Sequence, residues 1–232
     1  MNRSCLSLLS TIAIALILAS CGGETEQAEQ PPVAGVEVEK EVPTPKTIEE
    51  AIARGNIEAV KSFIVADPDS ASIGARPGSP PLHQAILRQK SDIALLLISS
   101  GADVNAVDSS QRTPLHLCVE RDLPDLVAPL AKAGAKPDEK DPAGWTPLHH
   151  TGAKDRVAVA KALLENGANV NICSELGGTP LHEAAASAGP ELVKMLLDAG
   201  VDTSIVADGG SALDIAKEFK NVAAIELLSK VE

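Results

Sequence analysis

Aromatic side chains are almost absent from this chain of 232 residues, which contains no Tyr, one Trp and two Phe. A compact domain built around a single core usually relies on more aromatic bulk, because each aromatic ring buries a large apolar area. The scarcity therefore favours a thin stack of helices that pack through Leu, Ala and Val.

Sequence signatures of catalysis and of metal binding are also missing. The chain has no GxSxG elbow, no Walker loop, no HExxH pair and no CxxC pair. Each of these patterns places a nucleophile, a phosphate or a metal ion in a defined geometry. We therefore expect no enzyme activity, no catalytic residue, no cofactor, no metal ion and no small-molecule substrate.

Positive charge is scarce as well, since 20 Lys and Arg stand against 32 Asp and Glu and the formal net charge is −12. A chain this acidic repels nucleic acid and anionic headgroups. Nucleic acid is therefore not an expected partner, and any attachment to a membrane has to come from another source.

The N-terminus supplies such a source. Arg3 precedes an apolar run from Leu6 to Ala19, which is too short for a comfortable membrane span but suits a secretory signal. The run ends in LASC at residues 18–21, which resembles the bacterial lipobox. The resemblance implies a signal peptide over residues 1–20 and a lipidated Cys21 as the new N-terminus. The alternatives are an ordinary cleaved signal or an uncleaved anchor.

The sequence after this segment predicts a tether. Residues 21–46 contain six Glu, two Lys and four Pro, with no helical or alternating apolar period. Such a segment cannot bury enough surface to offset the loss of chain entropy on folding. We expect an acidic, disordered tether that separates a folded domain from a membrane. Under the enteric sorting rule, Gly22 after the cysteine indicates the outer membrane, facing the periplasm in a Gram-negative cell.

From about residue 47 onward the sequence repeats itself. PPLH at 80–83 is followed by TPLH at 113–116, 146–149 and 179–182, so the motif recurs every 33 residues. A tail glycine follows each His by 18 residues, at Gly101, Gly134, Gly167 and Gly200. Two markers in phase over four units resemble the ankyrin repeat. The residues assigned to the structural repeat motif are Thr113, Pro114, His116, Thr146, Pro147, His149, Thr179, Pro180, His182 and His83.

The resemblance implies an all-α solenoid of about six helix-turn-helix units with hairpin-like fingers between them. Two end units lack the motif, as capping units do. In the first, Glu49 stands in place of His, and in the last, SALD at 211–214 replaces TPLH. The predicted units are about 47–78, 79–111, 112–144, 145–177, 178–209 and 210–232.

Elementary rules explain the markers. Pro suits the first turn of a helix, where its missing N–H has no helical partner, and the tail glycine suits a left-handed helix end. Pro129 instead falls within a second helix and is expected to kink it. In the related family the His bonds back to the Thr and to the backbone of a neighbouring unit.

The in-phase histidines do not predict a metal site. Successive units stack roughly 10 Å apart, so equivalent imidazoles cannot share one ion with bonds near 2 Å. His150 lies outside this register and is interpreted as a polar residue on a helix face. Cys118 occupies a small core position and predicts a buried, inert thiol, whereas Cys173 predicts an exposed one.

Function is expected at the fingers. The resemblance implies that partners dock on the concave face, at the finger tips and at the exposed end of each first helix. Trp145 is the only Trp and precedes a Thr on a finger, where core packing does not require it; the alternative is that it packs along its neighbours. The predicted contacts for a protein partner are Arg112, Glu120, Arg121, Trp145, Lys154, Glu175 and Leu176.

The sequence thus predicts a non-catalytic protein-interaction module displayed from a bacterial envelope membrane by a lipid. An alternative is an accessory protein that stabilises or regulates an envelope enzyme or assembly. An enzyme in its own right is the third possibility, with no motif behind it.

Overall fold

A computed structural model describes residues 44–74 and 78–231. Within these ranges six pairs of α-helices follow one another, which confirms the predicted all-α solenoid of helix-turn-helix units. No helix in the same ranges is long and apolar enough to cross a membrane. The predicted signal peptide, Cys21 and all of the tether before residue 44 lie outside the described residues.

Each unit consists of a first helix, a short turn and a second helix. The pairs are α1 (Ile48–Arg54) with α2 (Ile57–Ala66), α3 (Pro81–Leu87) with α4 (Ser91–Ser99), α5 (Pro114–Arg121) with α6 (Val127–Lys132), α7 (Pro147–Lys154) with α8 (Val157–Glu165), α9 (Pro180–Ser187) with α10 (Pro190–Asp198), and α11 (Ala212–Glu218) with α12 (Val222–Leu228). Short 3₁₀ segments span Pro68–Ala71 and Pro124–Leu126.

The helices form two layers. Each first helix packs on the first helices of its neighbours, and each second helix packs on neighbouring second helices. Every unit therefore touches mainly the units directly before and after it, as in other repeat proteins. The fingers precede the first helices, and only the last one contains strands, where β1 (Val206–Ala207) pairs antiparallel with β2 (Gly210–Ser211) among the described residues.

The core lies between the two layers and repeats with the sequence. The motif leucines Leu82, Leu115, Leu148 and Leu181 are at most 1% exposed, and the second-helix leucines Leu97, Leu130, Leu163 and Leu196 are fully buried. Burying a Leu side chain contributes about 1.5–3 kcal/mol. These leucines, with the Ala, Ile and Val side chains buried beside them, fill the core, which explains why few aromatic rings are needed.

The sequence markers begin and end the helices. Proline occupies the first position of α3, α5, α7 and α9, where the absent N–H has no helical acceptor. The tail glycines after α4, α6, α8 and α10 have φ angles between +81° and +94°. A β-carbon at these glycines would meet no atom within 4 Å. The requirement for glycine there is therefore conformational and does not come from crowding.

Neighbouring units are also joined by side chains that follow the tail glycines. Asn105 Nδ2 donates to the carbonyl of Gly134 at 2.9 Å, and its Oδ1 accepts from the Lys136 amide at 2.9 Å. Asn171 bonds in the same way to the next tail. Asp138 occupies this position between the other two and accepts from the Asn169 amide, but a carboxylate has no N–H to donate to the next glycine carbonyl. That junction lacks one bond.

The kink predicted at Pro129 stays a prediction, but the structure shows how the second helix accommodates this residue. The second helix of this unit begins only at Val127, after the 3₁₀ segment Pro124–Leu126. Pro129 is then the third residue of α6 and lies in its first turn, where a missing N–H leaves no helical bond unmade. The change from 3₁₀ to α-helical geometry thus lies two residues before Pro129.

Candidate partner-binding site

The histidines of the repeat motif fasten each finger to the first helix before it. His116 Nδ1 lies 3.2 Å from the amide nitrogen of Thr113, and His116 Nε2 lies 3.1 Å from the carbonyl oxygen of Trp145. An amide can only donate and a carbonyl can only accept, so the proton resides on Nε2. His149 and His182 form the same two bonds, one to the Thr three residues earlier and one to the next finger. Their Nε2 atoms reach the carbonyls of Gly178 and Ile205, respectively. These imidazoles are buried and structural.

Burial works against protonation of all four motif histidines. It lowers the pKa values of His83, His116 and His182, and it lowers the pKa of His149 to about 4. The bond from Nε2 to a carbonyl favours the charged form but does not outweigh desolvation. The neutral imidazole is the form that the fold uses.

His83 departs from the pattern because of the residue three positions earlier. Pro80 stands where the other units have Thr, and it offers neither an amide N–H nor a hydroxyl. His83 Nε2 still reaches the carbonyl of Arg112 at 3.0 Å, but its buried Nδ1 has no hydrogen-bond partner among the described residues. The second unit thus retains the link to the next finger and loses the local one.

Two aspartates shape the fingers that carry Arg112 and Trp145. Asp108 Oδ1 accepts from the amides of Ser110 and Arg112 at 2.8 and 3.0 Å. Asp141, one repeat later, accepts from the amides of Ala143 and Trp145 at 2.9 and 3.0 Å. An Asp that accepts from its own loop backbone is a common way to fix a turn. Arg112 and Trp145 therefore leave their fingers at equivalent points.

Arg112 is held by two carboxylates. Its Nε and one terminal nitrogen donate to Asp108 Oδ2 at 3.1 and 2.9 Å, and its other terminal nitrogen donates to Glu120. Arg121 approaches the second oxygen of Glu120 at 3.7 Å. Partial burial opposes the charged form of Arg112, but the bonds to Asp108 and Glu120 raise its pKa. The guanidinium is thereby fixed in place on the finger side of α5.

Trp145 lies beside two histidines of α7. Its ring stacks on His149 with a centroid distance of 6.3 Å, and it meets His150 edge to face at 5.0 Å. His150 Nε2 in turn lies 2.8 Å from Asp141 Oδ2. Burial raises the pKa of Asp141, but the bonds from His150 and from the finger amides outweigh it and lower that pKa. His150 is thus part of this cluster and is not an isolated polar residue.

Several of these side chains border one hollow of about 380 Å³ between the third and fourth units. Of the predicted partner contacts, Arg112, Glu120, Trp145 and Lys154 line it, and Arg121 lies beside Glu120. The other lining residues are His116, His150 and Ala153. We call this surface the 112–154 hollow.

Glu175 and Leu176 belong to the next finger and do not line the hollow. Leu176 is 65% exposed, and its carbonyl accepts from the Asp208 amide of the following finger at 3.1 Å. Glu175 packs over Gly144, where a β-carbon would lie only 2.6 Å from its Cγ. These two residues extend the exposed surface along the row of fingers, but the structure does not bring them into the hollow.

The two predicted thiols differ in exposure. Cys118 is fully buried, and burial raises its pKa to about 12. Cys173 is half-buried and not exposed as predicted, and its finger contacts the preceding one through Lys140 Nζ, which donates to the Cys173 carbonyl at 2.8 Å. The sequence gives no warning of that contact between fingers.

One cluster has the residue types of a metal site. Ligand atoms of His116, Asp141 and His150 lie within 4.8 Å of one another. However, His116 Nδ1 accepts a bond and its Nε2 donates one, so neither nitrogen has a lone pair left for a metal ion. Binding would require breaking the link between His116 and the next finger.

The sequence did not predict that His150 lines the hollow or that Asp141 pairs with it. Asp141 could have been found from its spacing, because it lies four residues before Trp145 as Asp108 lies four before Arg112. His150 has no equivalent in the other units, and its pairing with Asp141 depends on how the finger folds back.

Comparison with known proteins agrees with this architecture. The family model described as ankyrin repeats (3 copies) matches residues 48–141, 122–207 and 158–231, which together span the helical stack. A search of curated proteins found no match. Since the family matches, the recurring motif and the stacked helix pairs coincide over the same residues, the chain belongs to the ankyrin-repeat family, a fold that serves as a protein-interaction module.

Proposed function

We propose that this protein is a non-catalytic interaction module, anchored to a bacterial envelope membrane through lipid on Cys21, which binds a partner protein through the 112–154 hollow and the adjoining fingers. The observation that carries the proposal is the position of Trp145. The ring is half-buried, lies against His149 and His150, and borders a hollow between two units. Aromatic and Arg side chains in such positions are those that most often anchor protein interfaces.

The polar groups around the hollow favour a role in partner binding and not in catalysis. Asp108, Glu120 and Asp141 are each engaged by a cation or by His150, so none is an isolated base. The imidazole of His116 uses both nitrogens to hold the backbone. A general base needs a free acceptor within reach of a substrate proton. These groups instead give the hollow a fixed shape, which lowers the entropic cost of binding.

The N-terminal sequence supports the anchored location. An apolar run from Leu6 to Ala19 leads into LASC at residues 18–21, and Gly22 follows the cysteine. Two or three acyl chains hold a protein stably at a membrane, whereas one chain does not. The acidic segment that follows would hold the repeats away from the membrane, on the periplasmic side of the outer membrane in a Gram-negative cell.

Photo-crosslinking in cells tests the binding surface. A photoreactive residue is placed at position 145 or 154 in the hollow, and at position 194 as a control, because Lys194 is exposed on α10 in the other layer. We expect a discrete protein adduct from 145 and 154 and none from 194. Equal adducts from all three positions would contradict the proposed surface. If the captured partner is an enzyme that co-purifies with this chain in a stoichiometric complex, and if its activity depends on this chain, the accessory role is favoured.

Fractionation tests the anchor. Cys21→Ser should move the protein from the membrane fraction to the soluble fraction, with Cys5→Ser as the control. An unchanged membrane fraction for Cys21→Ser would contradict lipid attachment at this residue.

A further inference from the structure

The carboxylates in and next to the 112–154 hollow are already paired: Glu120 lines the hollow, and Asp108 and Asp141 bind its lining residues Arg112 and His150. Asp108 accepts from the amides of its finger through Oδ1 and from Arg112 through Oδ2. Asp141 accepts from its finger amides and from His150. Glu120 faces Arg112 with one oxygen and Arg121 with the other. Each of these three acids thus already faces a basic side chain.

Hydrogen-bond donors, in contrast, remain open. Lys154 lines the hollow, is exposed, and forms no ion pair with any described residue. The indole N–H of Trp145 has no hydrogen-bond partner within residues 44–74 and 78–231. Arg112 uses Nε and both terminal nitrogens on acids, yet these bonds take only three of its five N–H groups. The ammonium of Lys154 and the indole N–H of Trp145 are thus two donors at the hollow that have no protein partner among the described residues.

The apolar part of the hollow is small and adjoins these donors. The ring of Trp145 and the methyl group of Ala153 contribute to the lining. An aliphatic side chain placed against the indole would exclude water from the neighbouring donors, which strengthens any charge-assisted bond formed there. The surface therefore suits a ligand that has an apolar group next to an acceptor.

We infer that the 112–154 hollow recognises a segment of the partner protein in which an acidic side chain lies beside an aliphatic one. The partner's carboxylate accepts hydrogen bonds from the ammonium of Lys154 and from the indole N–H of Trp145. The partner's aliphatic side chain packs on the indole ring. Ionised carboxylates are acceptors only, so they match a surface whose open groups are donors. This inference rests on the proposed function and names the chemistry of the partner at the same site.

The only Trp of the chain lies in the hollow and there is no Tyr, so intrinsic fluorescence reports on this site alone. The purified full chain is titrated with three peptides, acetyl-Ser-Glu-Leu-Glu-Leu-Ser-amide and its versions with Gln or Lys in place of both Glu. We expect the Glu peptide to shift Trp145 emission and to bind roughly two- to fivefold more tightly than the Gln peptide, as for an exposed ion pair. The Lys peptide should bind most weakly.

Charge variants separate recognition from folding. Lys154→Gln should abolish the preference for Glu over Gln, and Lys154→Glu should make the Lys peptide the best ligand, while the control Lys194→Gln should behave as wild type. Lys154 and Lys194 are both exposed, so these substitutions leave the core intact.

Equal binding of the three peptides, a preference for Lys in the wild type, or no emission change with any peptide at millimolar concentration would overturn the inference. The proposed function has an independent readout. If position 145 still captures a partner in cells while the peptides fail, the interaction module stands and the acidic recognition does not. If neither occurs, both fail.

Discussion

Gly152 of α7 lies so close to Pro180 of α9 that a β-carbon on Gly152 would be 2.7 Å from the Pro180 carbonyl oxygen. The same β-carbon would lie 2.9 Å from the backbone nitrogen of Ala184. Both neighbours are backbone atoms, which cannot swing aside as a flexible side chain can. The absence of a side chain at residue 152 is what allows these two first helices to approach so closely.

Gly152→Ala should therefore destabilise the protein, although Ala is normally the better helix former. The gain in helix propensity is about 1 kcal/mol, whereas overpacking against fixed backbone costs typically 1–3 kcal/mol. We expect a net loss of up to about 2 kcal/mol in the free energy of unfolding, measured by reversible urea denaturation followed by circular dichroism. Gly152→Ser should lose more. An increase in stability for Gly152→Ala would show that the helices separate at no cost.

The junction at Asp138 predicts a stabilising change. Asp138→Asn supplies an N–H to the carbonyl of Gly167, as Asn105 does for Gly134. One added hydrogen bond contributes about 0.5–1.5 kcal/mol. The matched controls are Asn105→Asp and Asn171→Asp, which remove the equivalent bond and should lower the free energy of unfolding by a similar amount. A failure of Asp138→Asn to raise the free energy of unfolding, or of Asn105→Asp and Asn171→Asp to lower it, would contradict the contribution of this bond.

The buried histidines predict a loss of stability in mild acid. The folded pKa of His149 is about 4, below the ordinary value of about 6.5 for an unfolded chain. Below pH 6.5 the unfolded state binds more protons, so stability is complete above that pH and falls as the pH drops toward 4. His149 alone should cost on the order of 2 kcal/mol at pH 5. His83, His116 and His182 shift in the same direction and add to it.

Urea denaturation at pH 7.5, 6.5, 5.5 and 5.0 measures this dependence. His149→Asn should be less stable at pH 7.5 but should lose less between pH 7.5 and 5.0 than the wild type. A wild-type free energy of unfolding that stays level over this range would contradict the assignment of neutral, buried imidazoles.

Trp145→Ala should separate binding from folding. The substitution removes ring contacts with His149 and His150, which contribute about 0.5–1.5 kcal/mol to stability, and it leaves the backbone carbonyl that His116 needs. A residue that anchors an interface costs about 2 kcal/mol or more on truncation, so capture of the partner should fall roughly thirtyfold. The control is Leu95→Ala, a partly exposed apolar residue on α4. Unchanged capture by Trp145→Ala would show that the ring only packs along its finger.

Much of the fold was predictable because its determinants repeat. Motif leucines, tail glycines and first-turn prolines are local features with a fixed period, and each acts within its own unit or on the next one. The equivalent positions of Arg112 and Trp145 on their fingers followed from the same phase. Gly152 did not stand out in the sequence, since a glycine can occur inside a helix for several reasons. Only the structure shows that the backbone of Pro180 lies too close for a β-carbon at residue 152.

The site was predictable only in part. The partner contacts were chosen by phase, and four of the seven line one hollow while Glu175 and Leu176 do not. The pairing of His150 with Asp141 joins a helix to a finger tip across nine residues, and no periodic signal encodes it. The start of α6 at Val127 was missed for a similar reason, because Pro129 alone does not reveal where its helix begins.

The bond from each motif histidine to the next finger ends on a carbonyl oxygen, and every residue has one. A unit inserted into this row by gene duplication would therefore find its acceptor ready on whatever finger follows, without a compensating second mutation. The side chain on that finger residue, Trp145 in one unit and Arg112 in another, is left free to diverge. The bond between units thus does not depend on the finger side chains that determine which partner is bound, so these side chains can change while the bond is kept.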